Sequence, residues 1–304
     1  NQADLLAIAV TGNTLDGYYV LTEDIGCDGT TAINLVGTYS TSATAGFIGT
    51  FDGRGHSISN ANVGAKGLFN SLGAGTVKNL ALVNVVGTKN ALAQETYSST
   101  IENVYISSDS CLQAANYAAN STFRNTIAVL PNGETLIWTY GSATINNTIS
   151  NVYTVIASPV TNDGWSGTKV PGFFRNYYKS DDPVTLYNLQ HFTSVEALLA
   201  ALEANNSMTA WNSSFSYENS MLKFGGKPVF FTEAALSNPV DLGEIEAAAK
   251  ENVINIPAEI TGNIIGFSSG NAGRMTEGLE CEDGKLILSE KAVKALEKET
   301  EKYK

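Results

Sequence analysis

Thr76-Val77-Lys78-Asn79 is the first complete copy of a four-residue phrase in which Thr precedes an apolar residue, any residue and Asn. The phrase returns as Thr100-Ile101-Glu102-Asn103, Thr122-Phe123-Arg124-Asn125, Thr148-Ile149-Ser150-Asn151 and Thr185-Leu186-Tyr187-Asn188, and a serine version, Ser57-Ile58-Ser59-Asn60, precedes it. The asparagines from Asn60 to Asn151 follow one another at intervals of 19, 24, 22 and 26 residues. A repeat of this length with one strand per repeat predicts a solenoid.

Two solenoids fit this period, a leucine-rich horseshoe and a parallel β-helix. The horseshoe requires leucines at fixed offsets, which the repeats lack. In a β-helix each coil stacks on the previous one, so the repeated Asn falls at one turn and its side-chain amides can form a ladder. The sequence therefore predicts an all-β fold, a right-handed single-stranded parallel β-helix, in preference to a sandwich with coincidental spacing.

A change in composition predicts a domain boundary. Residues 1–240 hold 17 acidic and 10 basic residues, whereas the much shorter stretch 241–304 holds 13 acidic and 8 basic residues. The change follows the turn-forming cluster Ser237-Asn238-Pro239. We therefore predict a β-helix domain over residues 1–236 and a small charged α+β domain, or the truncated start of a further surface module, over residues 237–304.

Three further phrases make a family resemblance visible: Gly17-Tyr18-Tyr19-Val20-Leu21-Thr22-Glu23-Asp24-Ile25, Phe47-Ile48-Gly49-Thr50-Phe51-Asp52-Gly53-Arg54-Gly55-His56-Ser57-Ile58 and Gly67-Leu68-Phe69-Asn70-Ser71-Leu72-Gly73. They resemble the opening of bacterial cell-surface proteins with GLUG-type repeats. Trp211 and the segment 226–230 are similar to that family's closing segment. The resemblance covers residues 4–232 and implies a right-handed parallel β-helix that is secreted from bacteria and displayed at the cell surface. The later glycine-rich repeats of the family are replaced here by the Thr and Asn phrases.

The ends of the solenoid carry predicted caps. Residues 4–9 read as a short apolar helix or strand that can cover the first coil. Thr193-Ser194-Val195-Glu196 reads as a capping box, and the apolar residues after it have helical spacing, so we expect a helix that packs near the last coil. In the charged segment, Ile254, Ile256, Ile260, Ile264, Ile265 and 286–288 predict short strands, and Ser289 to Lys302 predicts a helix.

Charge and composition exclude several function classes. The chain has 30 acidic and 18 basic residues and a net charge of −12, so no basic footprint for nucleic acid is present. No stretch is apolar for long enough to span a membrane. The three cysteines, Cys27, Cys111 and Cys281, are far apart, which indicates neither a disulfide framework nor a zinc site. We predict no cofactor, no metal and a monomer, with an extracellular or cell-surface location.

Catalytic groups are scarce in the central coils. Residues 76–150 contain only Glu95, Glu102, Asp109 and Glu134 as acids, and no two of them share a coil position by spacing. A glycosidase needs two carboxylates across the scissile bond, and a calcium-dependent lyase needs a carboxylate cluster. The turn at 52–56 combines an acid, a base and His56, but its glycines favour a structural role. We also favour solvated turns over calcium sites for Asp24 with Asp28 and for Asp181 with Asp182, and a packed or solvated His191 over a reactive one.

One insertion interrupts the repeat. The interval from Asn151 to Asn188 is 37 residues, and the segment 158–183 within it gathers aromatic residues beside aspartates. Long loops on rigid scaffolds commonly carry function, and aromatic planes flanked by polar groups stack against sugar rings. The candidate ligand-binding residues are therefore Trp165, Phe174, Arg175, Tyr177, Tyr178, Asp181 and Asp182. The alternative is that these aromatics fold the loop back as a satellite core.

Three hypotheses about function follow. The first is a non-catalytic bacterial surface module, an adhesin or scaffold, that binds a glycan or a host surface protein through the 158–183 loop. The second is a polysaccharide lyase or glycoside hydrolase with the pectin-lyase-like fold. The third is a structural spacer. The shortage of paired catalytic groups favours the first over an enzyme.

Overall fold

The structure is a computed structural model that describes residues 1–10, 14–35, 42, 44–138, 147–160, 170–173, 185–205, 208, 211, 213–218 and 221–231, together with 253–255, 267–268, 274–275, 279–282 and 285–288. The chain divides into two compact units, Asn1–Ala235 and Leu236–Lys304.

The first unit begins with one helix and continues as a series of short strands: α1 (Gln2–Val10), β1 (Thr14–Leu15), β2 (Tyr18–Val20), β3 (Ile25–Gly26), β4 (Gly46–Phe47), β5 (Thr50–Asp52), β6 (Ser57–Ser59), β7 (Asn62–Gly64), β8 (Phe69–Gly73), β9 (Thr76–Val83), β10 (Val86–Gly87), β11 (Asn90–Tyr97), β12 (Thr100–Ser107), β13 (Gln113–Ala119), β14 (Thr122–Val129), β15 (Thr148–Val155) and β16 (Thr185–Phe192). The helix α2 (Val195–Asn205) and the strands β17 (Phe215–Glu218), β18 (Met221–Phe224) and β19 (Lys227–Phe231) complete it.

The strands β1 to β16 form the stacked sheets of a right-handed parallel β-helix, which confirms the predicted fold. The largest sheet has the order β16-β15-β14-β12-β9-β5-β2, with β3 and β6 paired beside it. The second sheet runs β1-β4-β8-β11-β13, and β7 and β10 form a short third one. All pairings within these sheets are parallel, because each strand pairs with its counterpart one coil away.

Each long strand of the largest sheet bends at its asparagine. In β9 the side chains of Val77, Leu80 and Leu82 point inward and are fully buried, while Lys78 faces outward. Asn79 lies between the two halves with φ of 52°, in the left-handed region, and drops out of the strand pairing. Asn tolerates this conformation better than other side chains except Gly. The phrase therefore encodes a bend as well as a strand.

The predicted amide ladder is confirmed over most of its length. Asn103 Nδ2 donates to Asn79 Oδ1 (2.6 Å), Asn151 Nδ2 donates to Asn125 Oδ1 (3.0 Å), and Asn188 Nδ2 donates to Asn151 Oδ1 (2.9 Å). The ladder is interrupted between Asn103 and Asn125. The closing segment, which is the part of the chain over residues 208–231 that follows α2, enters at this position. Ser214 bonds both the oxygen and the nitrogen of the Asn103 side-chain amide, and the Trp211 carbonyl oxygen accepts from Asn125 Nδ2 (3.1 Å).

The placement of Asn60 in this ladder was wrong. Ser57, Ile58 and Ser59 pair with residues 81–83, so Asn60 lies opposite Asn84 and not opposite Asn79. The segment in register with 76–78 is Thr50-Phe51-Asp52, and Asp52 Oδ1 accepts from Asn79 Nδ2 (2.9 Å) as the first member of the ladder. The turn at 53–56 inserts between the two segments, which shifts the register in a way that the four-residue phrase does not reveal.

The first coil is covered by α1, as predicted. Leu5 is buried in the main core, and Leu6 and Ile8 pack against that core. The N-terminal turn is fixed by Asn1, whose side-chain oxygen accepts from the amides of Ala3 and Asp4.

A second apolar cluster lies on the outside of the largest sheet. Its sheet residues point away from the solenoid interior and include Tyr105 and Tyr153, and the closing segment contributes Trp211. The cluster also contains Ala81, Ile127, Val129, Val155, Leu198, Leu199, Leu202, Met208, Phe215, Leu222 and Phe224. The apolar side of α2 therefore joins a cluster on the outer face of several coils, and is not confined to the last coil. Ser194, rather than Thr193, caps the helix, because its Oγ accepts from the amide of Ala197 (3.2 Å).

The turn between β18 and β19 touches the solenoid at a second point. Gly225 has φ of 57°, and a Cβ built on it would overlap the carbonyl oxygen of Gly55. Gly226 has φ of 81°, and a Cβ on it would meet nothing within 4 Å. The two neighbouring glycines thus share a left-handed backbone but differ in contact.

Gly225→Ala is expected to lower the free energy of unfolding by about 2 to 3 kcal/mol, because the new methyl group forces the turn away from Gly55 and the left-handed conformation is strained. Gly226→Ala is the matched control and is expected to cost about 1 kcal/mol, since it has the strain without the overlap. Urea unfolding of both variants measures the difference. Equal losses would contradict the close approach of the turn to Gly55.

The second unit contains β20 (Val253–Asn255), β21 (Phe267–Ser268), β22 (Arg274–Met275), β23 (Leu279–Glu282) and β24 (Lys285–Leu288). β24 pairs antiparallel with both β20 and β23, and β21 pairs antiparallel with β22. The strands predicted around Ile254 and at 286–288 are confirmed. Ile256, Ile260, Ile264, Ile265 and the predicted helix from Ser289 to Lys302 lie outside the described residues.

Candidate functional site

The seven candidate ligand-binding residues of the insertion lie outside the described residues: Trp165, Phe174, Arg175, Tyr177, Tyr178, Asp181 and Asp182. The structure does describe the parts of the insertion on either side of them. Residues 158–160 follow β15, and residues 170–173 lie in the middle of the insertion. After the insertion the chain continues as β16, which pairs in register with β15. The prediction of a ligand site on this insertion therefore stays a prediction.

The middle of the insertion is anchored in the solenoid. Phe173 is 3% exposed and belongs to the main core. The carbonyl oxygens of Gly172 and Phe173 accept from the amides of Leu136 (3.0 Å) and Ile137 (2.9 Å), as a strand of the next coil would. Phe173 therefore packs in the main core of the solenoid and not in a satellite core on its outside. The residues on either side of this anchor, 161–169 and 174–184, lie outside the described residues.

The turn at 52–56 is held by several hydrogen bonds. Asp52 accepts hydrogen bonds from Asn79 Nδ2, from the Arg54 amide (3.0 Å) and from Tyr18 Oη (2.8 Å), and Lys78 Nζ lies 3.5 Å from its Oδ2. Partial burial alone would raise the pKa of Asp52, but these bonds outweigh it and hold the pKa below its ordinary value. A carboxylate this fully bonded is a poor general base.

Asp24 and Asp28 are also tied to protein partners. Asp24 accepts from Lys227 and from the Ser57 amide (2.9 Å), and His56 Nδ1 lies 3.3 Å away. Burial opposes these bonds, yet the pKa of Asp24 lies below its usual value. Asp28 bonds Thr31 Oγ1 (2.6 Å), two backbone amides and the Gln2 side chain, which lower its pKa. These contacts hold the β18–β19 hairpin and α1 to the first coils.

Glu95, Glu102 and His191 each have protein partners. Glu95 belongs to the second sheet, where it is buried and its Oε1 accepts from Asn116 (3.4 Å), whereas Glu102 belongs to the largest sheet and pairs with Arg124. His191 Nε2 lies 3.0 Å from the carbonyl oxygen of Ile156, and its ring packs against Gly172. Neither arrangement resembles two carboxylates set across a bond.

Within the described part of the chain, no three His, Cys, Asp or Glu side chains group as metal ligands would. The depression beside α1, lined by Leu5, Tyr19, Leu21 and Phe51 among others, has a volume of about 140 Å³. Sites for drug-sized ligands are larger, of the order of 300 Å³ or more. Burial raises the pKa of the Cys111 thiol, which lies fully buried in the core, so this thiol is not a reactive nucleophile.

One arrangement was missed by the sequence analysis. The first residues of the repeated phrase stack as a column of threonines, from Thr50 through Thr76, Thr100 and Thr122 to Thr148, and Thr185 continues the register. Two residues further along each strand, the unspecified position of the phrase stacks as Asp52, Lys78, Glu102, Arg124, Ser150 and Tyr187. The sequence showed the alternation of charge only from Lys78 through Glu102 to Arg124, because Thr50-Phe51-Asp52 lacks the asparagine of the phrase and joins the row through its register with residues 76–78.

No helix among the described residues is long and apolar enough to cross a membrane, in agreement with the prediction that the chain does not span one. Comparison with known proteins found no matching family model, no matching curated protein and no matching solved structure. The resemblance to GLUG-repeat proteins therefore stays a prediction that rests on the phrases quoted above.

Proposed function

We propose that the chain is a non-catalytic binding module, an adhesin or scaffold displayed outside a bacterial cell, that binds glycans through the insertion at 158–183. The observation that carries the proposal is that the insertion is bonded to the solenoid at its middle, where the Gly172 and Phe173 carbonyl oxygens accept from the Leu136 and Ile137 amides. The sequence places aromatic residues on both sides of this bonded point, Trp165 before it and Tyr177 after it. Such loops are the usual carriers of binding on a regular scaffold.

The bonding of the described acids supports binding over catalysis. Asp24, Asp28 and Asp52 are each occupied by several protein donors, and Glu102 pairs with Arg124 (2.7 Å). Hydrolysis or elimination on a polysaccharide needs a carboxylate or a base that is available to the substrate. The surface location and the glycan class are supported by the resemblance to bacterial surface proteins and by the aromatic and polar composition of the insertion.

The double variant Trp165→Ala/Tyr177→Ala is expected to weaken glycan binding about tenfold or more, because buried aromatic anchors dominate the binding energy of such sites. The measurement is binding to plant, mucin and bacterial polysaccharides immobilised on an array. The matched control, Trp138→Ala/Tyr97→Ala, removes the same two residue types outside the insertion and should bind as the wild type does.

Unchanged binding by the Trp165→Ala/Tyr177→Ala variant would show that the insertion is not the glycan-binding site. The same polysaccharides, incubated with and without calcium, test the proposal against an enzyme. New reducing ends or unsaturated products would overturn the non-catalytic assignment.

A further inference from the structure

The outer face of the first half of the long strands is regular and polar. Thr76, Thr100 and Thr122 stack directly on one another, and the residue after each is an apolar side chain buried in the core. Since side chains alternate along a strand, the threonines face outward, where they are half-buried by their own stacking. Adjacent strands place them about 4.8 Å apart. The hydroxyl groups thus form a straight row of regularly spaced donors and acceptors.

The neighbouring row of charges neutralises itself. Lys78 Nζ lies 3.5 Å from Asp52 Oδ2, and Arg124 Nη2 lies 2.7 Å from Glu102 Oε2. The four charges alternate in sign along the stack and sum to zero. A polyanion passing along the row would meet Asp52 and Glu102, and a polycation would meet Lys78 and Arg124. The row therefore has no net attraction for a charged polymer. Its balanced charges are suited to a polymer that is polar and uncharged.

Each row ends in one exposed tyrosine, and the two tyrosines lie at opposite ends of the sheet. Tyr18 is in register with Thr50 and is 61% exposed, and Tyr187 is in register with Ser150 and is 68% exposed. They are two of the three large apolar side chains that are exposed in the described part of the chain. Six strand spacings separate their strands, which corresponds to roughly 29 Å. Aromatic rings with a polar tip are suited to stacking on the apolar face of a sugar ring.

We infer that this surface, the threonine face, binds one extended chain of a neutral polysaccharide that runs across the strands along the solenoid axis. The face comprises Thr50, Thr76, Thr100, Thr122, Thr148, the charged row beside them, and the two tyrosines. A polysaccharide repeats hydroxyl groups along its edges, so it can bond successive threonines, and its apolar ring faces can stack on Tyr18 and Tyr187. The inference rests on the proposed glycan-binding function, but it assigns a site separate from the insertion.

The triple variant Thr76→Val/Thr100→Val/Thr122→Val tests this site, because valine keeps the branched shape and strand preference of threonine and removes only the hydroxyl. Its matched control is Thr22→Val/Thr88→Val/Thr193→Val, which changes three exposed threonines outside the face. The probes are neutral glucan and mannan oligosaccharides of increasing length, with polygalacturonate and chitosan as charged counterparts. We expect the face variant to bind the neutral chains at least tenfold more weakly, and the control to bind as the wild type.

Chain length and salt provide a second readout that does not depend on the folding of the triple variant. In the wild type, affinity is expected to rise with oligosaccharide length until the chain spans the roughly 29 Å between the tyrosines, and Tyr187→Ala should shorten that length. Binding should also be insensitive to ionic strength, because no net charge is involved. Salt-dependent binding of only the charged polymers, or affinity independent of chain length, would overturn the inference.

The failure of this inference and the failure of the proposed function give different results. If the threonine variant binds as the wild type while Trp165→Ala/Tyr177→Ala loses binding, the threonine face is excluded and the proposed function stands. If only the threonine variant loses binding, the face is the site and the insertion is not. If the wild type binds none of the polysaccharides, both are wrong.

Discussion

Asn103→Ala is expected to lower the free energy of unfolding by about 3 kcal/mol, through backbone strain and lost hydrogen bonds together. Asn103 has φ of 57°, a conformation that Ala adopts only at a cost. Its buried side chain donates to Asn79 Oδ1 (2.6 Å) and to Ser214 Oγ (2.8 Å), and accepts from the Ser214 amide (2.9 Å). No other described asparagine of the ladder joins the stacked coils to Ser214.

Two companion variants separate the causes. Asn103→Gly keeps the left-handed backbone and removes the side chain, so it should lose only the hydrogen-bond contribution, about 1 to 2 kcal/mol. Asn84→Ala changes an exposed asparagine with φ of 52°, and should lose only the conformational contribution, about 1 kcal/mol. Denaturant unfolding, followed by far-ultraviolet circular dichroism, measures all three. An Asn103→Ala variant no less stable than Asn84→Ala would show that the ladder contributes little.

Trp211→Ala is expected to destabilise the first unit by about 3 to 5 kcal/mol, the usual range for deleting a buried aromatic side chain. Trp211 is 4% exposed, and its ring stands edge-on to Tyr153 (centroids 4.7 Å apart) and to Phe215 (5.7 Å). Without it, the outward-facing ring of Tyr153 loses its contact with the Trp211 ring. We therefore expect increased binding of a hydrophobic dye before global unfolding begins.

Trp138→Ala is the control for that variant. Trp138 is half-buried, and Lys89 Nζ lies 5.1 Å from the centre of its ring. We expect a loss of about 1 kcal/mol, typical of a cation–π contact near the surface. Thermal melts monitored by circular dichroism compare the two variants. If Trp211→Ala and Trp138→Ala lower the stability equally, the closing segment is not an integral part of the second apolar cluster on the outside of the largest sheet.

The strands could be predicted from the sequence because their determinants are local. Alternation of apolar and polar residues defines the inner and outer sides of β9, β12, β14 and β15, and the asparagine defines the bend. Stacking identical phrases aligns them in register, so the amide ladder followed from the spacing. α2 was also predicted, since apolar residues at helical spacing are a local signal. The cap at residues 4–9 was predicted as either a helix or a strand, and the structure makes it α1.

The strand register predicted for the serine version of the phrase was wrong, because a turn is inserted before it. Ser57-Ile58-Ser59-Asn60 satisfies the local pattern as well as the true repeats do, yet it pairs with residues 81–83. The turn at Gly53 and Gly55 decides this, because Gly53 and Gly55 donate their amides to Lys78 and Asn79 one coil away. Such backbone contacts depend on the path of the chain between two coils, which the four-residue phrase does not specify.

The sequence by itself determined the class of fold, the bend at each asparagine and the position of the insertion, because each follows from side chains close together in the chain. Only the tertiary structure decided that Ser214 interrupts the amide ladder 111 residues from Asn103. It also decided that Phe173 enters the core and that Asp52, Lys78, Glu102 and Arg124 stand in one row beside the threonines. These features join residues from different coils, and a contact across coils exists only once the register of every intervening turn has been set by packing.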